Sequence, residues 1–169
     1  GQGALAAATT GAYNVGIGEG ALGVLTTANG NVAVGASALV ANTTGAANVG
    51  VGKEALYKVT TASNSTAVGN QALYNNTAAN NTAVGSGALS ANTTGSDNVA
   101  VGNHALDAAT TAANNTAVGG AALGALTTGT QNTALGRVAG DSITTGNYNL
   151  CVGYNTDTGA VNSDRRFVI

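Results

Sequence analysis

The sequence predicts an all-β chain, a parallel β-solenoid (β-roll) of about nine coils of 17 residues. Three observations point there. An apolar residue followed by Gly recurs at Ile17-Gly18, Val34-Gly35, Val51-Gly52, Val68-Gly69, Val84-Gly85, Val101-Gly102, Val118-Gly119, Leu135-Gly136 and Val152-Gly153, in steps of 17 with a single step of 16. Around it a whole unit repeats, N-(T/V)-A-V-G-x-x-A-L-x-x-x-T-T-G-x-x. The composition also lacks the material of an ordinary core. Charged residues make up 7% of the chain, Pro, Met and Trp are absent, and Gly is present 26 times. Self-similarity at a short fixed period marks an architecture of stacked units, and small residues in bulk suit closely spaced backbones.

Each part of the unit has a structural reading. N-V-A-V-G alternates in size with period two, as a strand does, with larger residues on one face and a small one on the other. Gly and Thr-Thr in every unit argue against a helix. T-T-G-x-x-N has turn chemistry, with Gly accepting positive φ and Asn bonding nearby backbone. The A-L segment is then expected to be a second short strand or an extended side. The short step falls inside YNNTAANNTAVG, which places a one-residue deletion around 76–80.

Stacking explains the strict slots, because neighbouring coils about 4.8 Å apart set identical residues over one another. One apolar spine is expected from Leu22, Leu39, Leu56, Leu73, Leu89, Leu106 and Leu123, with Gly140 replacing Leu in the ninth unit and Ile143 filling the space. A hydrogen-bonded ladder is expected from Asn14, Asn31, Asn48, Asn81, Asn98, Asn115, Asn132 and Asn149, which Ser65 interrupts once. One face of N-V-A-V-G can line the roll. The other is left for solvent or for another chain, so association is expected.

Residues 1–153 read as the repeat array and 154–169 as a degenerate final coil or the start of a next segment. The chain opens partway through a coil, since Gly1 aligns with Gly18, and it ends on the strand-like Val168-Ile169. The array is therefore expected to be a piece of a longer fibrous protein, or a unit whose ends continue into neighbours, with any export signal outside this sequence.

The units NVAVGASALVANTTGAA and NTAVGGAALGALTTGTQ resemble the head repeats of trimeric autotransporter adhesins (the YadA-like type), in the 17-residue form found in phage tail fibres and large bacterial surface proteins. The resemblance covers residues 1 to about 153. It implies a left-handed roll, a parallel homotrimer, and a role as rod or adhesive head on a cell or virion surface. The added A-L-x-x-x-T-T segment departs from the shorter adhesin unit. The ligand is not implied, because binding in such proteins follows the decoration of the roll.

Other chemistry finds little support in the residues. A formal net charge of -2 gives no electrostatic case for nucleic acid or an anionic membrane. No run of about 18 apolar residues exists to span a bilayer. Cys151 is the only Cys and occupies a slot that holds Ala or Gly elsewhere, so a small buried residue is expected. Gly16 to Gly20 lacks dinucleotide-loop spacing, and the stretch around Lys53 lacks both the first Gly and the Ser/Thr of a phosphate loop. His104 has no matched nucleophile. No catalytic, cofactor or metal residue is expected, and the chain reads as a non-enzyme.

Glu19, Lys53, Glu54, His104 and Arg137 fall in the variable positions after the strand Gly, where ligand contacts can vary without disturbing the roll. They are the candidate ligand-facing residues. The expected function is that of a structural and adhesive fibre segment, extracellular on a cell surface or virion, bound as homotrimer or homopolymer to a host-surface protein or glycan. A self-assembling extracellular filament is the alternative. Ice binding through the Thr-Thr pairs is a third reading, weakened because adjacent Thr side chains in a strand point oppositely.

Overall fold

The computed structural model describes residues 1–159 and 162–169; positions 160 and 161, inside the tail expected as a degenerate coil, lie outside the described residues. The chain winds as a β-solenoid around one sheet. Its strands are β1 (Val15–Ile17), β2 (Val32–Val34), β3 (Val49–Val51), β4 (Thr66–Val68), β5 (Thr82–Val84), β6 (Val99–Val101), β7 (Thr116–Val118), β8 (Thr133–Leu135), β9 (Leu150–Val152) and β10 (Phe167–Val168). Each strand pairs in parallel with the next, so spatial order equals chain order. The described residues form no helix.

Register follows the repeat. Val99 lies opposite Thr116, Ala100 opposite Ala117 and Val101 opposite Val118. Across the short unit the match is kept, with Thr66 opposite Thr82, so the missing residue is absorbed outside the strands. Nine steps from β1 to β10 make a rod of roughly 43 Å at about 4.8 Å per step.

The middle residue of each strand points inward. Ala33, Ala67, Ala83, Ala100, Ala117, Ala134 and Cys151 are fully buried, while the residues flanking them point out. The lumen explains why this slot stays small. A Cβ added to Gly50 would lie 3.4 Å from Leu39 Cγ, so the turn leucine already occupies the space under the strand. The seven spine leucines from Leu22 to Leu123 are fully buried. At Gly140, where the leucine is missing, an added Cβ would lie 3.4 Å from Ile143 Cδ1.

The A-L segment is not a second strand. It is a stacked turn in which Leu22, Leu39, Leu56, Leu73, Leu89, Leu106 and Leu123 all adopt φ between 51° and 55°. A left-handed leucine costs about 1–2 kcal/mol, and the stacking supplies the compensation. In one coil His104, also left-handed, donates its backbone N–H back to the Ser86 carbonyl (3.0 Å), while Leu106 donates forward to the Ala122 carbonyl (3.1 Å). The two left-handed residues swing these N–H groups along the rod axis, so the chain turns without orphaning them.

The corner glycines also depart from expectation. Gly45, Gly95, Gly129 and Gly146 of the T-T-G corners are absent from the positive-φ residues. They are small because coils approach closely there, and a Cβ on Gly95 would overlap the Ala112 carbonyl oxygen of the next coil. The left-handed corner residue is instead the one before the ladder Asn, such as Ala47, Asp97, Asn114 or Tyr148.

Candidate functional site

The Asn column lies inside the roll rather than on a surface turn. Asn31, Asn48, Asn81, Asn98, Asn115, Asn132 and Asn149 are buried, and Asn14 is half-buried. Each side chain serves the next coil. Asn98 Oδ1 accepts the Asn115 backbone N–H (3.0 Å), and Asn98 Nδ2 donates to the Ala112 carbonyl (2.8 Å). Asn115 Nδ2 in turn donates back to Asn98 Oδ1 (3.1 Å), so amide joins amide along the axis. At the interruption, Ser65 takes the Asn48 acceptor with its backbone N–H (3.0 Å) and offers its hydroxyl oxygen to the Asn81 N–H (3.3 Å).

A second interior column, just before Thr-Thr, is not readable from the repeat because its residues differ. Leu25, Val59, Ala109, Leu126 and Ile143 fill it with apolar groups, and Asn42, Asn76 and Asn92 with amides, all fully buried. Asn76 belongs to the short corner. Its Oδ1 accepts from Asn81 Nδ2 (3.2 Å) and Asn92 Nδ2 (2.7 Å), and its Nδ2 donates to the Ala78 carbonyl (2.6 Å). These bonds knit the shortened corner to its neighbours.

Three surfaces face outward. On the sheet, the residues flanking the buried middle form two columns. One is aliphatic throughout, from Ile17 through Val34, Val51, Val68, Val84, Val101, Val118 and Leu135 to Val152; the other mixes Val and Thr and ends in Leu150 and Phe167. Leu135 is 50% exposed and Val84 37% exposed. A parallel sheet ordinarily has both faces covered, and here one is bare.

At the corner the two threonines divide the work. The first hydroxyl donates to the carbonyl of its counterpart in the next coil, as Thr93 does to Thr110 (2.9 Å) and Thr127 to Thr144 (3.0 Å). The second, including Thr44, Thr94, Thr111 and Thr128, is exposed. The first threonine is exposed as well in some corners, such as Thr60 and Thr93, so those corners present both to solvent. Six asparagines open an N-x-(S/T) triplet, the acceptor pattern for N-glycans: Asn42 and Asn92 are buried, Asn64, Asn80 and Asn114 are exposed at the corner, and Asn75 is half-buried with Nδ2 on the Ser90 carbonyl (2.9 Å).

The third surface is the turn edge, where all five ligand-facing candidates sit. Glu19, Lys53, His104 and Arg137 are exposed and Glu54 is half-buried. The structure brings only two of them together, with Lys53 Nζ 3.9 Å from Glu54 Oε1. Glu54 Oε2 also accepts from Gln71 Nε2 (2.7 Å). His104 Nδ1 lies 3.0 Å from Asp107 Oδ2, and the Arg137 guanidinium lies 5.9 Å from the Tyr154 ring centre. Glu19 and Arg137 are seven coils apart, roughly 34 Å. These residues decorate an edge and do not converge on a centre.

Selection by charge passes over two residues on that edge. Tyr57 and Tyr74 stack with ring centres 4.9 Å apart and planes within 3°, and Lys58 Nζ lies 5.7 Å from the Tyr74 ring centre. An aromatic in the same slot of two successive units is the signal that finds them. Cys151 is buried in β9, and burial, aided by the Asp157 carboxylate, pushes its thiol above the ordinary range and keeps it protonated. Among the described residues there is no enclosed pocket and no group of three or more His, Cys, Asp or Glu placed to hold a metal.

Among the described residues no helix is long and apolar enough to cross a membrane. No family model, curated protein or solved structure matches this chain.

Proposed function

We propose that this chain is a non-enzymatic segment of an extracellular fibre, a stiff rod on a bacterial surface or phage tail, and that copies of it associate side by side as a homotrimer. The observation that carries the reading is the bare aliphatic column from Ile17 to Val152 along a ten-stranded parallel sheet. Such a face, continuous over the rod, exceeds the scattered apolar exposure normal for a monomer. A second copy is the occupant it fits best, because the same slots return every coil and present a matching column at every step. The repeat's likeness to adhesin heads supports the same assembly. Its mechanism is mechanical and multivalent: weak contacts on the turn edges gain strength when three copies present them together.

Light scattering with mass analysis tests the association. The expected result is a particle of about 48 kDa, three times the 16.0 kDa chain. Placing carboxylates on the bare face with Val84→Asp and Val101→Asp should reduce it to single chains without loss of β-structure. A wild-type mass equal to one chain at every concentration would overturn the homotrimer. Long filaments in electron micrographs of the isolated protein would replace it with end-to-end assembly.

A further inference from the structure

The turn edge changes character within three coils. The slot after the spine leucine holds Tyr57 and Tyr74 in successive coils, then Ser90, then Asp107. The tyrosine stack therefore stops at Tyr74, and no third ring continues it over Ser90. Two coils beyond Tyr74, about 10 Å along the rod, stands the His104–Asp107 pair, joined at 3.0 Å and partly open to solvent. The coil between contributes Gly87 and Ser90. A Cβ on Gly87 would lie 2.8 Å from both Cε1 and Nδ1 of His104, so glycine there lets the imidazole lean back over the intervening coil. On the other wall Gln71 shares the Tyr74 coil, and its amide is oriented by Glu54 (2.7 Å). The imidazole covers Gly87, which leaves Ser90 between an aromatic side and a polar side in a shallow, open step of the turn edge.

The geometry points to a saccharide site: one pyranose ring of a surface glycan, its apolar C–H face on the Tyr74 ring and its hydroxyls bonded by Gln71 and the His104–Asp107 pair. The chemistry selects this ligand class. A pyranose has an apolar face and a rim of hydroxyls, which matches one ring wall beside groups that both donate and accept. Asp107 accepts from hydroxyls with the added strength of an ionised acceptor, and the same carboxylate disfavours a phosphate backbone. An open step buries little of a ligand, so affinity per site is on the order of millimolar, useful only when copies act together. The inference thus deepens the adhesive reading and rests on it.

The test follows the Tyr74 and His104 ring resonances by NMR while glucose, galactose and N-acetylglucosamine tetrasaccharides are titrated in turn. At least one should shift both residues saturably. Tyr74→Ser should weaken that binding at least tenfold while keeping the fold, since Ser90 fills the same slot one coil on. Gln71→Gly, which copies Gly87 in the same column, should weaken it as well, and Tyr148→Ser, at the sheet's other margin, should change nothing. Absence of any saturable shift up to roughly 50 mM, far above the millimolar range, would overturn the site, as would binding that survives Tyr74→Ser. Retention of the protein on a mucin-coated surface, unchanged after enzymatic removal of the glycans, would also overturn it while leaving the adhesive reading in place.

Discussion

Asn115 makes bonds that no single coil can supply. Its Oδ1 accepts the Asn132 N–H (2.9 Å) and its Nδ2 donates to the Gly129 carbonyl (2.9 Å), both in the following coil. Truncation leaves two buried backbone groups without partners, each costing about 1–3 kcal/mol. Asn115→Ala is therefore expected to destabilise by about 2–6 kcal/mol in urea unfolding. Asn115→Ser should lose less, because Ser65 shows that a hydroxyl oxygen can take the next coil's N–H. Equal stability of both variants and the parent would remove the ladder from the account. The strand-end glycine is fixed for a different reason. Gly102 sits at φ 138°, which side chains rarely adopt, and an added Cβ would overlap the Gly119 carbonyl.

At the scale of the element, the coil tolerates change in its corner and not in its strand. The unit from Gly69 to Val84 lost a residue at the corner, and Asn76 holds that corner to its neighbours while Thr66 and Thr82 stay in register. Restoring the corner should be harmless. Inserting Thr after Thr77, with Asn76→Ala to copy the Ala109 corner, is expected to keep the fold and a stability within about 1–2 kcal/mol of the parent. Deleting Ala100 from β6 moves Val101 into the inward slot and Gly102 into the outward one. That variant should lose cooperative unfolding by circular dichroism, and a deletion tolerated in the strand as well as in the corner would contradict the assigned register.

The repeat made much of this legible. Val-Gly every 17 residues located the strands, and the constant Asn and Leu located two interior columns. Leucine carries no preference for φ near +53°, so nothing in A-L announced a left-handed turn. That conformation comes from the neighbouring coils, which accept its N–H groups. The column holding Leu25, Asn42, Val59 and Asn76 was hidden because a lumen slot can be filled by an apolar group or by a hydrogen-bonded amide. The Tyr57–Tyr74 stack lay in positions that vary from unit to unit, where only pairing across coils gives a residue meaning.

At the scale of the whole molecule, the rod divides its surface by type. Leucines, small residues and amides fill the lumen, aliphatic side chains line the outside of the sheet, and polar and aromatic groups occupy the turn edge and corners. The aliphatic face is the feature a single chain does not explain, and its burial between copies is the central claim. Thiol labelling tests it directly, in a Cys151→Ala background that leaves the small interior slot filled as in other coils. Val84, 37% exposed in the single chain, becomes cysteine in one variant, and the exposed corner residue Thr111 in another. In the native assembly the cysteine at 84 should react at least about tenfold more slowly than the one at 111, the factor that roughly 1.4 kcal/mol of protection gives, and dilution to single chains should abolish the difference. Equal labelling rates at every protein concentration would show that the face is bare in solution and would contradict the account.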